Sequence, residues 1–117
     1  MLHARGDARA VTLAKRAYDA APNVAEIADS YGWILVQRDK VPEGIAMLER
    51  ALAGAPANPD IQYHVAAAYV KSGQSARGAE ILREVLQSHG KFASRQEAER
   101  LESSLANATP PGGLRPR

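Results

Sequence analysis

Polar and aromatic side chains that could bind a ligand occupy two groups of positions in this chain, and the two groups are related by the spacing from Glu26 to Asp60. Each group forms a stripe on one face of a helical segment. The stripes consist of Glu26, Asp29, Ser30, Trp33 and Gln37 in the first segment, and of Asp60, Tyr63, His64, Ala67 and Lys71 in the second. Aromatic residues contribute much of the binding energy at protein interfaces, and carboxylates favour a positively charged ligand. The stripes therefore predict a surface that binds a peptide or a protein partner.

Catalytic and metal-binding chemistry finds no support in the sequence. The histidines His3, His64 and His89 are scattered, with no carboxylate or second histidine at ligand spacing. The chain also has no phosphate-binding loop, no dinucleotide fingerprint and no nucleophile elbow. We therefore expect no enzyme activity, no catalytic residues, no bound metal and no cofactor.

The composition indicates one helical domain. Of the 117 residues, 45% are hydrophobic and only 5% are aromatic. Small aliphatic side chains suit closely packed helices better than a β-sandwich, in which β-branched and aromatic residues would dominate. The formal charge of +2 is too small to indicate nucleic-acid binding. No apolar run reaches the roughly 18 residues that a membrane span needs.

Cysteine usage and the N-terminal segment leave the cellular compartment open. The sequence contains no cysteine, which excludes disulfides. Its first residues lack the apolar core of a signal peptide. The cytoplasm is the default compartment, and the periplasm is the alternative if the chain is a fragment of an exported protein.

The stripes belong to a pattern that is written twice. A shift by the spacing from Glu26 to Asp60 superimposes identical residues along the whole repeat. The identical pairs are Ile27 and Ile61, Val36 and Val70, Gly44 and Gly78, Leu48 and Leu82, and Leu52 and Leu86. A third, half copy precedes them, since Ala10, Leu13, Ala14 and Ala17 match Gly44, Met47, Leu48 and Ala51. A fixed period of about 34 residues is the signature of a stacked repeat array, in which each unit buries its apolar face against its neighbours.

Helix signals divide the array, residues 7–107, into segments. Asn23 and Asn58 are the predicted N-caps of the first helix in each repeat, and Asp39 lies in a turn where Asp tolerates a left-handed backbone. The last helix has one narrow apolar stripe, which is typical of the closing end of an array. The segments are a disordered start at 1–6, a half-repeat helix at 7–22, repeats at 23–56 and 57–90, a capping helix at 94–107 and a disordered tail at 108–117.

Two glycines recur inside predicted helices, although glycine costs about 1 kcal/mol relative to alanine there. Gly44 and Gly78 occupy the same position in the second helix of each repeat. Because a destabilising residue recurs at the same helix position, we expect that position to require glycine for a close approach of two helix backbones. Together with Gly32 and Ala66 of the first helices, they are the predicted packing residues of the repeats.

This pattern resembles the tetratricopeptide repeat, a helix–turn–helix unit of roughly 34 residues. Residues of this chain match the family signature from about residue 8 to residue 90. The matching positions are the small residues Ala10, Gly32, Gly44, Ala66 and Gly78, the large residues Leu35 and Tyr69, and the closing prolines Pro22 and Pro56. The resemblance implies an all-α, right-handed solenoid of antiparallel helix pairs. A narrower likeness, to the C-terminal part of bacterial repeat proteins of exopolysaccharide and PEP-CTERM systems, is carried by residues 29–33, 62–66 and 91–99.

The resemblance also implies where a partner would bind. In this family the first helix of each repeat lines a concave groove, which would place both polar stripes in that groove. Trp33 is then either an anchor for the partner or a core residue packed against the helix of residues 7–20. The clamp of Lys and Asn side chains that holds a terminal carboxylate in some members is not matched, because the groove has no Asn and only Lys71.

Two functions fit these observations. The leading hypothesis is a protein-interaction module that binds a peptide or partner helix in the concave groove. The alternative is a structural, capping end of a larger scaffold that forms a homo-oligomer through its unpaired N-terminal helix. That alternative follows from Val11 and Tyr18, whose helix has no repeat partner in the sequence, since an exposed apolar patch usually finds a partner.

Overall fold

The computed structural model describes residues 2–108, with side chains for residues 8–107. Six α-helices and no strand lie in this range, so the predicted all-α architecture is confirmed. They are α1 (Leu2–Ala20), α2 (Ala25–Gln37), α3 (Val41–Gly54), α4 (Pro59–Lys71), α5 (Ser75–Ser88) and α6 (Arg95–Ala108). Residues 2–6, expected to be disordered, are part of α1, and residues 109–117 of the expected tail lie outside the described range. None of these helices is long and apolar enough to span a membrane.

The helices stack as successive hairpins. Helix α2 packs along α3, and α4 packs along α5, so each repeat is one antiparallel helix pair. The hairpins are then joined in series, because α3 packs on α4 and α5 packs on α6. Helix α1 packs on α2 in the same manner. It therefore occupies the place of a second helix from a preceding unit.

The two helix–helix turns have the same backbone geometry in both repeats. Asp39 has a φ of 66° and Gly73 has a φ of 92°, both in the left-handed region. The amide of the next residue then donates back to the helix: Lys40 N to Leu35 O at 2.9 Å, and Gln74 N to Tyr69 O at 2.8 Å. The same carbonyls also accept from the amides of Arg38 and Ser72, so this bond adds a second backbone donor at the end of each helix. The predicted left-handed turn at Asp39 is confirmed.

The N-termini of α2 and α4 differ, although the sequence predicts the same cap for both. The Asn58 side chain accepts hydrogen bonds from Asp60 N at 2.9 Å and Ile61 N at 3.1 Å, so its predicted capping role is confirmed. The predicted cap at Asn23 is wrong. Helix α2 instead begins after Val24, which has an extended backbone and no side-chain cap. Pro59 follows Asn58 at once and fixes the entry to α4, whereas nothing equivalent follows Asn23.

The helices of each repeat cross at the recurring glycines. A Cβ atom on Gly44 would lie 2.7 Å from Gly32 O and 2.5 Å from a methyl carbon of Val36. A Cβ atom on Gly78 would lie 2.7 Å from Ala66 O and 2.6 Å from the matching methyl carbon of Val70. Both contacts are too close for a real Cβ, so the helices approach until only glycine fits. That proximity buries Leu48 and Leu82 completely.

The core consists of small aliphatic side chains in two clusters. The larger one joins α2, α3 and α4, and it includes Ala28, Leu48, Ala51, Ile61 and Val65. The smaller one, built on Ala66, Leu82 and Ala98, attaches α6 to the second repeat. Such alanine-rich packing requires short distances between helices, which agrees with the glycine crossings.

Candidate functional site

The first helices of the repeats lie side by side in one layer. Helix α2 contacts α4, and α4 contacts α6, whereas α3 and α5 make no contact of similar extent in the described part of the chain. The layer whose helices approach more closely is the inner side of a curved array. Both polar stripes belong to this layer. We call this surface the groove face, and its residues are Glu26, Asp29, Trp33 and Gln37 of α2, and Asp60, Tyr63, His64, Ala67 and Lys71 of α4.

Three rings meet on the groove face, across the boundary between the two repeats. The indole of Trp33 stacks on the imidazole of His64, with ring centroids 4.3 Å apart and planes inclined by 24°. The ring of Tyr63 is tilted against both, at 6.0 Å from Trp33 and 5.5 Å from His64. All three side chains are half-buried. The cluster therefore combines a fixed geometry with accessible ring surface, a pairing that suits an interface anchor.

Trp33 contacts α4 through its ring stack. The sequence leaves two alternatives for Trp33, an anchor for the partner or a core residue that packs against α1. The ring contacts of Trp33 are instead with Tyr63 and His64, while its remaining surface packs on the core cluster of α2, α3 and α4. The aromatic contact to α1 is made by another residue of α2, Tyr31, whose ring lies 5.6 Å from that of Tyr18.

Asp29 and His64 form a polar contact beneath these rings. The Nδ1 atom of His64 lies 2.7 Å from Oδ1 of Asp29, which is a hydrogen-bond distance. The side chains of His64 and Asp29 are only 16% and 15% exposed, respectively. The contact joins α2 to α4 and fixes the orientation of the imidazole under Trp33. Asp29 therefore has a partner inside the protein, which the spacing in the sequence did not suggest.

Asp60 is occupied by the chain itself. Its carboxylate oxygen Oδ1 accepts a hydrogen bond from the backbone amide of Ser94 at 2.7 Å, directly before α6 begins. The first helix of the second repeat thereby holds the entry to α6. The sequence placed Asp60 among the acids that select a positively charged ligand, but its carboxylate is already engaged in this contact.

Lys71 connects α4 to the first repeat. Its ammonium group donates to the carbonyl of Val36 at 3.2 Å and lies 3.1 Å from a carboxylate oxygen of Asp39. Asp39 is the left-handed residue of the α2–α3 turn. The basic end of the groove face is therefore partly neutralised.

The remaining residues of the groove face differ in exposure. Glu26 and Gln37 are exposed near the two ends of α2, and Ala67 is half-buried beside Tyr63 and His64. Burial is the main cause that raises the pKa of Tyr63, and the negative charge of Glu97 on α6 raises it further. Glu97 therefore belongs to the surroundings of the aromatic cluster, and the groove face extends toward α6.

Ser94 and Glu97 are the site residues that sequence reasoning missed. Ser94 lies one full repeat period after Asp60, so the period itself could have indicated their proximity. Glu97, in the first turn of α6, belongs to neither of the two polar stripes. No group of three or more potential metal ligands occurs in the described residues. The groove face has the means to recognise a surface: rings, a free carboxylate and small residues.

A protein of this build is a helical-repeat scaffold, in which paired helices stack along one axis. The family model of the tetratricopeptide repeat matches residues 35–100, more than half of the chain. The chain belongs to the tetratricopeptide repeat family, as the repeated pattern in its sequence predicted. No curated protein matches it. Repeats of this family generally mediate protein–protein interaction, and the family is typically non-enzymatic.

Proposed function

We propose that this protein is an interaction module whose groove face binds a peptide or partner helix. The observation that carries the proposal is the ring cluster of Trp33, Tyr63 and His64. It spans two repeats and keeps half-buried ring surface on the inner layer of helices. Rigid aromatic surface of this kind is where binding energy concentrates at interfaces.

The cluster is held in place before any partner arrives. The Asp29–His64 contact orients the imidazole, and the imidazole in turn supports the indole of Trp33. Binding to a surface that is already ordered loses less conformational entropy than binding to a mobile one. An apolar side chain of the partner would lie on the rings.

Fewer charged side chains of the groove face are available to a partner than the sequence suggested. Asp60 and Lys71 are engaged in contacts within the protein, so Glu26 is the exposed charge of the groove face that remains for a partner. We therefore expect a partner with an apolar or aromatic residue that occupies the ring cluster and a basic residue directed at Glu26. A free terminal carboxylate is not expected to be a main determinant.

Selection of peptides from a random library tests this function. Immobilised wild type is used for selection, and the enriched peptides are then measured in solution against wild type and a Tyr63→Ala variant. Trp33 is the only tryptophan of the chain, so its emission reports directly on the groove face. Peptides that bind there should change the emission of Trp33, and Tyr63→Ala should weaken them about tenfold or more.

Two further variants give the experiment its controls. Glu26→Lys reverses an exposed charge without touching the core, and it should weaken basic peptides by several-fold. Glu84→Lys makes the same change on α5, outside the groove face, and should leave binding unchanged. Peptides that bind wild type and Tyr63→Ala equally well, with no change in Trp33 emission, would refute the proposal.

A further inference from the structure

Glu97 of α6 lies beside the ring cluster of the groove face. The hydrogen bond from the Ser94 amide to Asp60 holds the start of α6 against the start of α4. Helix α6 occupies the place of a first helix in the next repeat, so it runs in the same direction as α4. Tyr63 and Glu97 each follow this contact by about one helical turn on their own helices. The two side chains are therefore neighbours across the boundary between α4 and α6.

Two further observations place the carboxylate of Glu97 near the ring of Tyr63. The side chain of Tyr63 packs on the core cluster that contains Ala98, the residue next to Glu97. The negative charge of Glu97 also raises the pKa of Tyr63, after burial as the main cause, and a charge has this effect when it is close to the phenol. The accessible ring surface of Tyr63 is therefore bordered by a carboxylate.

The carboxylate of Glu97 is exposed and available to a partner. Its side chain makes no hydrogen bond or ion pair within the residues whose side chains the structure describes, 8–107. The basic residue of the same helical turn, Arg95, is already engaged. Its guanidinium donates to the Glu99 carboxylate at 2.9 Å and to the carbonyl of His89 at 2.7 Å. The positive charge that would complement Glu97 must therefore come from outside this turn of α6.

We propose that Tyr63 and Glu97 form a subsite for an arginine of the partner, whose guanidinium lies on the Tyr63 ring and pairs with the Glu97 carboxylate. This inference rests on the proposed function, and it adds a second basic residue to the one expected opposite Glu26. An aromatic ring attracts a cation that lies over its face. Arginine suits the subsite better than lysine, because its planar guanidinium both stacks on a ring and binds a carboxylate through two N–H groups.

The protein contains one such arrangement between its own helices. The guanidinium of Arg77 on α5 lies over the ring of Tyr69, with its central carbon 4.3 Å from the ring centroid. The hydroxyl of the same tyrosine donates a hydrogen bond to the carboxylate of Glu49. A tyrosine ring next to a carboxylate therefore holds an arginine in this structure. At Tyr63 the chain supplies the ring and the carboxylate, and the partner would supply the arginine.

The geometry also indicates where this arginine lies in the partner's sequence. The stack of Trp33 on His64 joins α2 to α4, whereas Glu97 lies on α6. Neighbouring packed helices are roughly 8–10 Å apart, a distance that an extended peptide covers in about three residues. We therefore expect the arginine about three residues from the apolar residue that occupies the ring cluster.

Parallel selections from one random peptide library test the subsite. The immobilised proteins are wild type, Glu97→Gln and Glu84→Gln, which makes the same change at an exposed position of α5. Glutamine keeps the size and the helix propensity of glutamate, so α6 should remain folded, and circular dichroism checks this. Wild type and Glu84→Gln should enrich arginine at the expected distance from the apolar residue. Glu97→Gln should enrich the apolar residue alone.

The affinities of one selected peptide separate an arginine contact from a general attraction of positive charge. The peptide is prepared with arginine, lysine or citrulline, a neutral analogue of arginine, at that position. For wild type we expect citrulline to weaken binding about tenfold and lysine about threefold, with smaller losses as salt is added. Glu97→Gln should weaken the arginine peptide about fivefold and leave the citrulline peptide unchanged. If Glu97 only stabilised its helix, both peptides would weaken equally.

The outcomes distinguish this inference from the proposed function. Peptides that carry the apolar residue and depend on Tyr63, but show no preference for arginine, would overturn the subsite and leave groove binding intact. A preference for arginine that Glu97→Gln leaves unchanged would also overturn it, because another acid would then be the contact. If wild type selects no peptide that changes the emission of Trp33, both proposals fail.

Discussion

The two full repeats, residues 23–56 and 57–90, agree where they pack and differ where they face a partner. Gly44 and Gly78 make the same backbone crossing, and Leu48 and Leu82 are both fully buried behind it. On the groove face, by contrast, Trp33 of the first repeat corresponds to Ala67 of the second. Repetition therefore builds the scaffold, and the departures from repetition build the candidate site.

The departures also explain how the aromatic cluster arises. The rings of Trp33 and His64 are neighbours because residues at non-equivalent positions of successive helices meet across the boundary between repeats. Strict repetition of the first unit would have placed serine opposite Trp33, and strict repetition of the second would have placed alanine opposite His64. Each following experiment tests whether a particular pair of equivalent positions is as similar, or as different, as the structure indicates.

The largest expected effect is at the glycine crossings, where the repeats should behave alike. Gly44→Leu and Gly78→Leu each place a side chain where even a Cβ meets a backbone carbonyl at 2.7 Å. We expect each variant to lose at least about 3 kcal/mol of unfolding free energy and to melt roughly 10 °C lower or more. Thermal unfolding followed by circular dichroism measures this.

The control for that experiment is a glycine with room around it. A Cβ on Gly54, in the last turn of α3, would meet only the Cβ of Ala25, at an ordinary 3.5 Å. Gly54→Ala should change stability by less than about 1 kcal/mol. If Gly44→Leu melted at the wild-type temperature, the close crossing of helices would no longer explain the recurring glycines.

A smaller effect, of opposite sign in the two repeats, is expected at the N-caps. Asn58→Ala removes the two hydrogen bonds that its side chain accepts and should destabilise the protein by about 1 kcal/mol. Val24→Asn adds a cap that α2 lacks, at a residue with an extended backbone, and should stabilise it by roughly 0.5–1 kcal/mol. Urea unfolding of both variants measures the pair, and a loss of stability in Val24→Asn would contradict the assignment of this N-cap.

Alkaline pH should reveal a difference between Tyr69 and its counterpart Leu35. Burial raises the pKa of Tyr69 above its ordinary value of 10.0, and the hydrogen bond that it donates to Glu49, together with that carboxylate's charge, raises it further. Because the folded state favours the neutral phenol, its contribution is complete below pH 10 and is lost as the pH rises through the folded-state pKa. Stability should therefore fall above about pH 10.

Tyr69→Phe isolates this contribution. The variant lacks the titrating group, so its urea midpoint should decline less between pH 9 and 11 than that of the wild type. Tyr63, whose pKa burial also raises, remains in both proteins and serves as the common background. Parallel declines in the two proteins would show that Tyr69 does not carry the effect.

The smallest effect concerns the ion pair at the end of the groove face. Lys71 and Asp39 are 43% and 84% exposed, and exposed pairs contribute little to stability. Lys71→Gln, which introduces the residue found at the equivalent Gln37, should change the unfolding free energy by no more than about 1 kcal/mol. A larger loss in a urea titration would mean that the bond to the Val36 carbonyl is the stronger contact.

The sequence predicts the scaffold well because equivalent positions in the two repeats make the same packing contacts. Gly44 and Gly78 indicate the crossings, and Asp39 and Gly73 mark the left-handed turns, since each role requires a residue type that periodicity makes visible. Asn58 is predicted as a cap for the same reason, with Pro59 beside it. At Asn23 the prediction is wrong because the extended residue before α2 is one position later, and residue types alone do not specify that position.

The candidate site is less predictable, because its contacts join positions that the period does not relate. The sequence identifies Asp29, Trp33 and His64 as members of two separate stripes, but their meeting depends on how α2 and α4 are turned relative to each other. The engagement of Lys71 by the Val36 carbonyl has no sequence signal, because any residue has a carbonyl. The helical start of α1 at Leu2 also escaped prediction, since residues 1–6 carry no apolar period.

The bond from Asp60 to the Ser94 amide sets a rule for anyone who wishes to redesign what this protein recognises. A substitution of Asp60 would change the ligand-binding surface and would also remove the hydrogen bond that holds the start of α6. The same substitution would therefore change specificity and impair folding. The side chains of Glu26 and Gln37 make no such contact among the described residues, so these two positions are better suited to substitution in a library.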